Sequence, residues 1–324
     1  MTSEPAKRES SWQPLIAGKL AASVLEAVED IANDLCAVAP APPPGMGAAE
    51  AALWQAALAS GDAGRALFFA YLDFHCEAAR AGDACLLPDD YAARAVERRD
   101  RAIDGLEAGQ PHAGLFAGLP GIAWVAEHLR GRLFDQEAEA GDAVDEVVLG
   151  WLSRSPWEGD YDLLGGLAGL GVYAVERLPL PAAARSLEMV IEHLAASAKR
   201  TAAGAAWFTP PERLPPARRR GRPHGCFDLG AAHGAAGVIA LLGAACHAGV
   251  AAGRTLPLLD EAVRRLLSHQ TPDREEGRFP HFIARGAEAR GSRLAWCYGD
   301  LGIAATLAVA GEGTRRPDWQ SAAL

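Results

Sequence analysis

Four widely separated residues have side chains suited to chemistry: Asp162, His233, Arg293 and Cys297. A carboxylate, an imidazole, a guanidinium and a thiol can together move a proton, bind a metal ion and balance a negative charge. Each of the four stands shortly before a Gly-x-x-G motif. If these motifs mark equivalent positions of a repeat, the four side chains meet at one end of the fold.

Cys297 and His233 occupy neighbouring positions relative to these glycines. Cys297 lies in the segment A-W-C-Y-G, two residues before Gly299 and at the predicted start of a helix. A helix N-terminus favours the thiolate that a nucleophile or a zinc ligand needs, although an inert buried cysteine is the simpler alternative. His233 directly precedes Gly234, just as Tyr298 precedes Gly299. We therefore expect His233 and Cys297 to face the same cavity.

Asp162 and Arg293 are weaker candidates when taken alone. Asp162 lies four residues before Gly166, where a carboxylate often caps a helix. Arg293 lies four residues before Cys297, where an ordinary solvent-facing cation is equally common. Their place in the repeat, beside His233 and Cys297, is what makes them candidates.

The repeat itself predicts the architecture. Five copies of Gly-x-x-G begin at Gly61, Gly118, Gly166, Gly234 and Gly299, with 57, 48, 68 and 65 residues between successive first glycines. Each interval fits two helices and their connections, and an apolar helical pattern follows each glycine pair. Glycine suits a sharp entry into a helix that packs closely on its neighbours. The sequence therefore predicts an all-α fold of stacked helical hairpins, either closed into an α/α toroid or left as an arc.

Composition agrees with helices and excludes several classes of function. Hydrophobic residues make up 50% of the chain, mainly Ala and Leu, whereas aromatic residues make up only 7%. The net charge of −10 comes without a basic stripe, which argues against nucleic acid as a partner. The six cysteines have no regular spacing, so a disulfide framework is not expected. We found neither a transmembrane segment nor a signal-like start, and we expect a cytoplasmic protein.

Two segments interrupt the repeat. Residues 1–48 form a predicted N-terminal segment that ends in the Pro-rich linker Ala39–Gly47, and residues 49–324 form the predicted toroid. Trp207–Gly225 is rich in Pro and Arg and is predicted to be a long exposed loop, with contact to a substrate peptide as the alternative. The pairs Cys246-His247 and His75-Cys76 lie inside predicted helices, away from the glycines, and are interpreted as structural.

Three segments carry a resemblance to a known family. They are Y-D-L-L-G-G-L-A-G at 161–169, C-F-D-L-G-A-A-H-G-A-A-G at 226–237 and R-L-A-W-C-Y-G-D-L-G at 293–302. In their order and register they resemble the lanthionine synthetase C family, the lanthipeptide cyclases. The third segment is the most specific, and the likeness extends over most of the chain from about residue 50 onward.

The resemblance implies a toroid of seven hairpins, of which about five to six are present here, with a zinc ion at one end of the central cavity. It implies Cys297 as one zinc ligand and His233, Asp162 and Arg293 as catalytic residues. Zinc would hold a peptide cysteine as thiolate for addition to dehydroalanine or dehydrobutyrine, forming a thioether ring. His233 would then act as general acid, Arg293 would balance negative charge, and Asp162 would orient or charge-pair with a nearby cation. The implied partners are a dehydrated precursor peptide and a separate dehydratase.

The chain departs from the family in one respect. The family's other two zinc ligands come from an adjacent Cys-His-Gly in the next repeat, whereas no Cys or His follows Cys297 before Leu324. We therefore expect a C-terminally truncated cyclase that carries one of three zinc ligands.

Three other functions remain open at this point. One is a non-catalytic or degenerate relative that serves as a scaffold for a precursor peptide or a dehydratase. Another is an α/α-toroid glycosidase, which needs paired acidic residues such as Asp162 and Asp228 and leaves the A-W-C-Y-G segment unexplained. The third is thiol addition to a small electrophile, for instance with glutathione.

Overall fold

Helices dominate the computed structural model, which describes residues 16–37, 41–80, 90–134, 140–271, 277–287, 291 and 293–323. The helices are α1 (Gly18–Ala37), α2 (Ala48–Ala56), α3 (Asp62–Arg80), α4 (Tyr91–Ala108), α5 (Leu119–His128), α6 (Ala140–Leu152), α7 (Leu167–Glu176), α8 (Pro181–Ser197), α9 (Pro216–Arg219), α10 (Ala235–His247), α11 (Ala252–Leu267), α12 (Asp300–Thr314) and α13 (Pro317–Ala322). Two short antiparallel pairs join β1 (Lys199–Thr201) to β2 (Gly204–Ala206) and β3 (Phe227–Asp228) to β4 (Phe282–Ile283).

The helices form two layers. The five helices that follow the Gly-x-x-G motifs pack on one another in chain order, α3 on α5, α5 on α7, α7 on α10 and α10 on α12. Each also packs on the helix that follows it in the chain, which gives an outer layer of α4, α6, α8, α11 and α13. This inner and outer arrangement confirms the predicted all-α toroid architecture, while the number of hairpins stays a prediction.

The glycines are required by a close approach that recurs in every repeat. A Cβ on the first glycine would lie between 1.9 and 2.5 Å from the carbonyl oxygen six residues earlier. A Cβ on the second glycine would lie between 1.8 and 2.5 Å from the carbonyl six residues before it. The chain therefore folds back tightly on itself before each inner helix, and a side chain at either position would displace backbone.

Backbone hydrogen bonds join these tight loops side by side. Each of the four bonds runs between loops of neighbouring repeats: Ala59 N to Phe116 O at 2.9 Å, Phe116 N to Leu164 O at 3.1 Å, Leu163 N to Ala232 O at 3.2 Å and Ala232 N to Cys297 O at 3.3 Å. Residues at equivalent repeat positions therefore lie next to each other at one end of the inner layer, which we call the rim.

At the opposite end of the inner helices, a buried ion cluster ties the two layers together. Arg177 follows α7 and its side chain is only 1% exposed. It donates to Asp145 of α6 at 2.7 Å, to Glu127 of α5 at 2.9 Å and to Asp142 at 3.0 Å. The Tyr173 hydroxyl also donates to Asp145, at 2.8 Å. A buried cation surrounded by this many acceptors fixes three helices relative to one another.

Trp207–Gly225 differs from its prediction as a long exposed loop. It contains a 3-10 turn at Pro211–Arg213 and the helix α9, and it buries Trp207, Leu214 and Arg222. The Trp207 indole donates to the backbone carbonyl of Leu194 in α8 at 3.0 Å. These buried anchors hold the segment against the body of the protein, and its other arginines are exposed except for the half-buried Arg218.

The polar start of the chain and the beginning of the predicted Pro-rich linker lie outside the described residues. Within the predicted N-terminal segment the structure shows α1, whose Cys36 accepts from Arg94 of α4 at 2.9 Å. The domain boundary near residue 48 stays a prediction. No helix in the described part of the chain is both long and apolar enough to cross a membrane.

Candidate functional site

Asp162 and His233 form a hydrogen-bonded pair at the rim. Asp162 lies in the loop before α7, and His233 lies in the loop before α10. His233 Nδ1 donates to Asp162 Oδ2 at 2.6 Å, and Gly165 N donates to Asp162 Oδ1 at 2.7 Å. The carboxylate is nearly buried, whereas 32% of the His233 side chain is exposed. Asp162 therefore bonds to its own loop through one carboxylate oxygen and to the His233 ring through the other, while its catalytic role stays a prediction.

This pairing determines which atom of His233 can do chemistry. With Nδ1–H committed to Asp162, the other ring nitrogen, Nε2, is left to exchange a proton with a substrate. A carboxylate behind an imidazole also stabilises the imidazolium that forms when Nε2 takes a proton. The arrangement is suited to general acid and base catalysis.

Cys297 lies beside this pair, and Arg293 lies beside Cys297. The Cys297 carbonyl accepts from Ala232 N at 3.3 Å, which joins its loop to the residue before His233. The guanidinium of Arg293 donates to the Cys297 sulfur at 3.9 Å. A cation at this position stabilises negative charge on sulfur or on a nearby anionic intermediate. The structure thus brings all four predicted site residues to one rim.

Sequence analysis did not propose Tyr298 as a site residue, although it occupies the same repeat position as His233. Its ring lies between the rings of His233 and His281, with centroids 5.9 Å from each. Arg218 of α9 donates to its hydroxyl and lies 5.0 Å over its ring. Burial raises the pKa of Tyr298, so its hydroxyl keeps its proton. The shared repeat position was a signal that could have identified this residue.

Asp228 is a second buried carboxylate near the rim, but it does not pair with Asp162. Arg222 donates to Asp228 Oδ2 at 3.2 Å, and Asp228 Oδ1 has no hydrogen-bond partner among the described residues. Burial raises the pKa of Asp228 to about 6. Each carboxylate thus has its own cationic or imidazole partner, and the glycosidase alternative stays a prediction.

The two Cys-His pairs interpreted as structural lie away from the rim. His247 is exposed and is the last residue of α10, at the end opposite its glycines, and burial raises the pKa of the neighbouring Cys246. His75 is exposed on α3, whereas Cys76 is buried in the core.

The described residues do not form a metal site on their own. No group of three or more His, Cys, Asp or Glu side chains in the described part of the chain is arranged to hold a metal ion. The Cys297 sulfur contacts Arg293, a cation rather than a second ligand. Cys297 can supply one thiolate ligand, but the set that catalytic zinc requires is not met by these residues.

The inner helices surround a central cavity of about 720 Å³. Its rim end is lined by the residues three positions before the first glycines, namely Leu58, Leu115, Leu163 and Ala231. The corresponding residue of the last repeat, Trp296, stacks on Phe116 with ring centroids 6.1 Å apart. The aromatic pair thus connects the fifth repeat to the second, and Trp296 lies next to Cys297.

Comparison with known proteins agrees with this architecture. The sequence model of the family described as lanthionine synthetase C-like protein matches residues 53–323. Among solved structures, nisin cyclase superposes with a TM-score of 0.69 at 19% sequence identity, covering 93% of this chain and 74% of that chain. No curated protein matches the sequence. At this identity the structural likeness establishes the fold.

Proposed function

The chain belongs to the lanthionine synthetase C-like family, and from this membership and the rim geometry we propose that it acts as a lanthipeptide cyclase. The reaction is addition of a cysteine thiol to dehydroalanine or dehydrobutyrine in the same peptide. The observation that carries the proposal is the 2.6 Å pairing of His233 with Asp162 at the rim that also holds Cys297 and Arg293.

The addition balances with one proton transferred and no redox change. His233 Nε2 takes the proton from the substrate thiol, and the sulfur forms a bond to the β-carbon of the dehydro residue. The π electrons of the broken double bond move onto the α-carbon and its carbonyl as an enolate. His233 then returns the proton to the α-carbon, which completes the thioether.

The remaining rim residues support these two proton transfers. Asp162 holds the ring so that Nε2 faces the substrate, and its charge stabilises the imidazolium between the transfers. Arg293, beside Cys297, balances the negative charge that develops on the enolate oxygen.

In this proposal, Cys297 is the one described residue that would bind zinc. Bound there, zinc would hold the substrate thiol as thiolate near neutral pH. Because the described residues do not complete its ligand set, the steps above use only the groups of this chain. The substrate in this proposal is a dehydrated precursor peptide, and a separate dehydratase supplies it.

A peptide with one cysteine and one dehydroalanine tests the function. Ring closure leaves the mass unchanged but removes the free thiol, so alkylation followed by mass spectrometry measures the rate, with and without added zinc. We expect His233→Gln to lower this rate by roughly 10²- to 10⁴-fold. His247→Gln, at the far end of α10, serves as the matched histidine control and leaves the rate unchanged.

Two results would count against the proposal. Equal rates for His233→Gln and His247→Gln would remove His233 from the chemistry. A wild-type rate no higher than the rate in buffer, with and without zinc, would rule out cyclisation by this chain. Binding of the same peptide without ring closure would then support the scaffold function.

A further inference from the structure

Three polar side chains meet at the end of the inner helices opposite the rim. Tyr71, His128 and Glu176 each lie ten residues after the first glycine of their repeat. At the helical rise this places them about 15 Å from the rim. They come from α3, α5 and α7, which are neighbours in the inner layer. None of them belongs to the site described above.

These three side chains form a continuous hydrogen-bonded line. The Tyr71 hydroxyl donates to His128 Nε2 at 2.8 Å, and His128 Nδ1 donates to Glu176 Oε1 at 3.0 Å. The imidazole centroid lies 4.6 Å from that of the Trp124 ring and 6.0 Å from that of the Tyr71 ring, and both rings are nearly parallel to it. The line of hydrogen bonds holds the Glu176 carboxylate in a fixed position at the end of α7.

Glu176 places its carboxyl group at the wall of the central cavity. Among the described residues that line the cavity, Glu176 alone is ionisable, and the others around it are mostly aliphatic, such as Val172, Val175 and Leu241. Because His128 occupies Oε1, Oε2 remains for a donor on a ligand. The neighbouring Arg177 points away into its own cluster with Glu127 and Asp145. A carboxylate that is 30% exposed at the border of an apolar cavity can pair with a cationic group of a ligand bound there.

Two further features favour a cation at the same place. His128 and Glu176 are the last residues of α5 and α7, and the C-terminal end of a helix carries partial negative charge. The Trp124 indole also lines the cavity, and an indole face attracts ammonium groups. The carboxylate, the two helix C-termini and the indole face therefore all favour a positively charged group.

We propose that this end of the cavity binds an organic ammonium ion with an apolar body. The ammonium group contacts Glu176 Oε2 and the Trp124 ring, while the body packs among the aliphatic residues of the cavity. A volume of about 720 Å³ accommodates a molecule of moderate size. A free amine and the lysine side chain of a bound peptide share this chemistry.

Calorimetry at pH 8, where an ordinary imidazole is neutral, tests the site with molecules of one size. Hexylammonium, 1-hexanol and hexanoate differ in charge but share an apolar chain. We expect wild-type protein to bind hexylammonium roughly tenfold or more tightly than hexanol, and hexanoate most weakly. This ranking of the three probes is measured on the wild-type protein alone. Equal affinity for the three probes, or preference for hexanoate, would overturn the site.

Neutralising Glu176 tests whether this residue causes the preference for the ammonium probe. In Glu176→Gln the preference for hexylammonium over hexanol should disappear, whereas Glu188→Gln, on the outer helix α8, should keep it. A preference that survives in Glu176→Gln would overturn the assignment. A short peptide containing lysine, compared with the same peptide containing norleucine, separates the two sources. Glu176-dependent binding of the lysine peptide identifies a peptide side chain, and binding of hexylammonium alone identifies a free amine.

Discussion

Two adjacent glycines before α7 offer a sharp test of how the rim is built. In Gly166→Ala the new Cβ would lie 2.2 Å from the carbonyl oxygen of Asp160 and 2.7 Å from the backbone nitrogen of Asp162. Ordinary contact begins at 3.4 Å, so the loop must move by about 1.2 Å. Backbone atoms cannot yield as a flexible side chain would, and overpacking of this kind costs about 1–3 kcal/mol of unfolding free energy.

The same movement affects the catalytic pair. Asp162 lies within the displaced loop, and its hydrogen bond to His233 is 2.6 Å long. A displacement of about 1.2 Å away from His233 lengthens this bond beyond hydrogen-bonding range. Misplacement by about 1 Å commonly lowers an enzyme's rate by roughly 10²-fold. Gly166→Ala should therefore lose stability and cyclisation rate together.

Gly165→Ala is the matched control. Its Cβ would meet only the carboxylate oxygens of Asp160 and Asp162, at 3.7 and 3.8 Å, which is ordinary contact. We expect its unfolding free energy to stay within about 0.5 kcal/mol of wild type. Urea denaturation followed by circular dichroism measures both variants. If Gly166→Ala is as stable and as active as Gly165→Ala, the close approach does not position the rim.

Two further predictions concern buried charges. Arg177→Met leaves Asp145 buried without its cation and should lower the unfolding free energy by about 3–5 kcal/mol. Arg185→Met, which removes an exposed ion pair, should lower it by less than about 1 kcal/mol. Similar urea midpoints for the two variants would contradict this. Burial raises the pKa of Asp228 from 3.8 to about 6, so between these values the folded protein holds a proton that the unfolded chain releases. Wild-type stability should fall by up to about 3 kcal/mol relative to Asp228→Asn as pH rises from 4 to 7, and parallel pH profiles of unfolding free energy would refute this.

The inner helices could be predicted from sequence because their signal is local. Each glycine is needed because the carbonyl oxygen six residues earlier leaves no room for a Cβ. The motif therefore identifies the turn and the helix that follows it. The order of the inner layer then follows from the repeat. The segment Trp207–Gly225 could not be predicted in this way, because the burial of Trp207 depends on a contact with Leu194 in another helix.

The candidate site could be predicted only in part. Repeat position brought His233 and Cys297 to one rim, but the contact between His233 and Asp162 joins residues 71 positions apart. That contact depends on the hydrogen bond between neighbouring loops, which no sequence pattern reveals. Tyr298 and Glu176 occupy repeat positions that match other polar residues, but their contacts with His233 and His128 join residues of different repeats and leave no local pattern in the sequence.

We propose that the rim catalyses thiol addition with His233 as the proton donor. Cyclisation of the cysteine and dehydroalanine peptide in D₂O by the wild-type protein tests this mechanism. We expect loss of the alkylatable thiol faster than in buffer, with one deuteron at the α-carbon of each new thioether, and a slower rate in His233→Gln. Thiol loss at the buffer rate, or a rate that His233→Gln leaves unchanged, would contradict it.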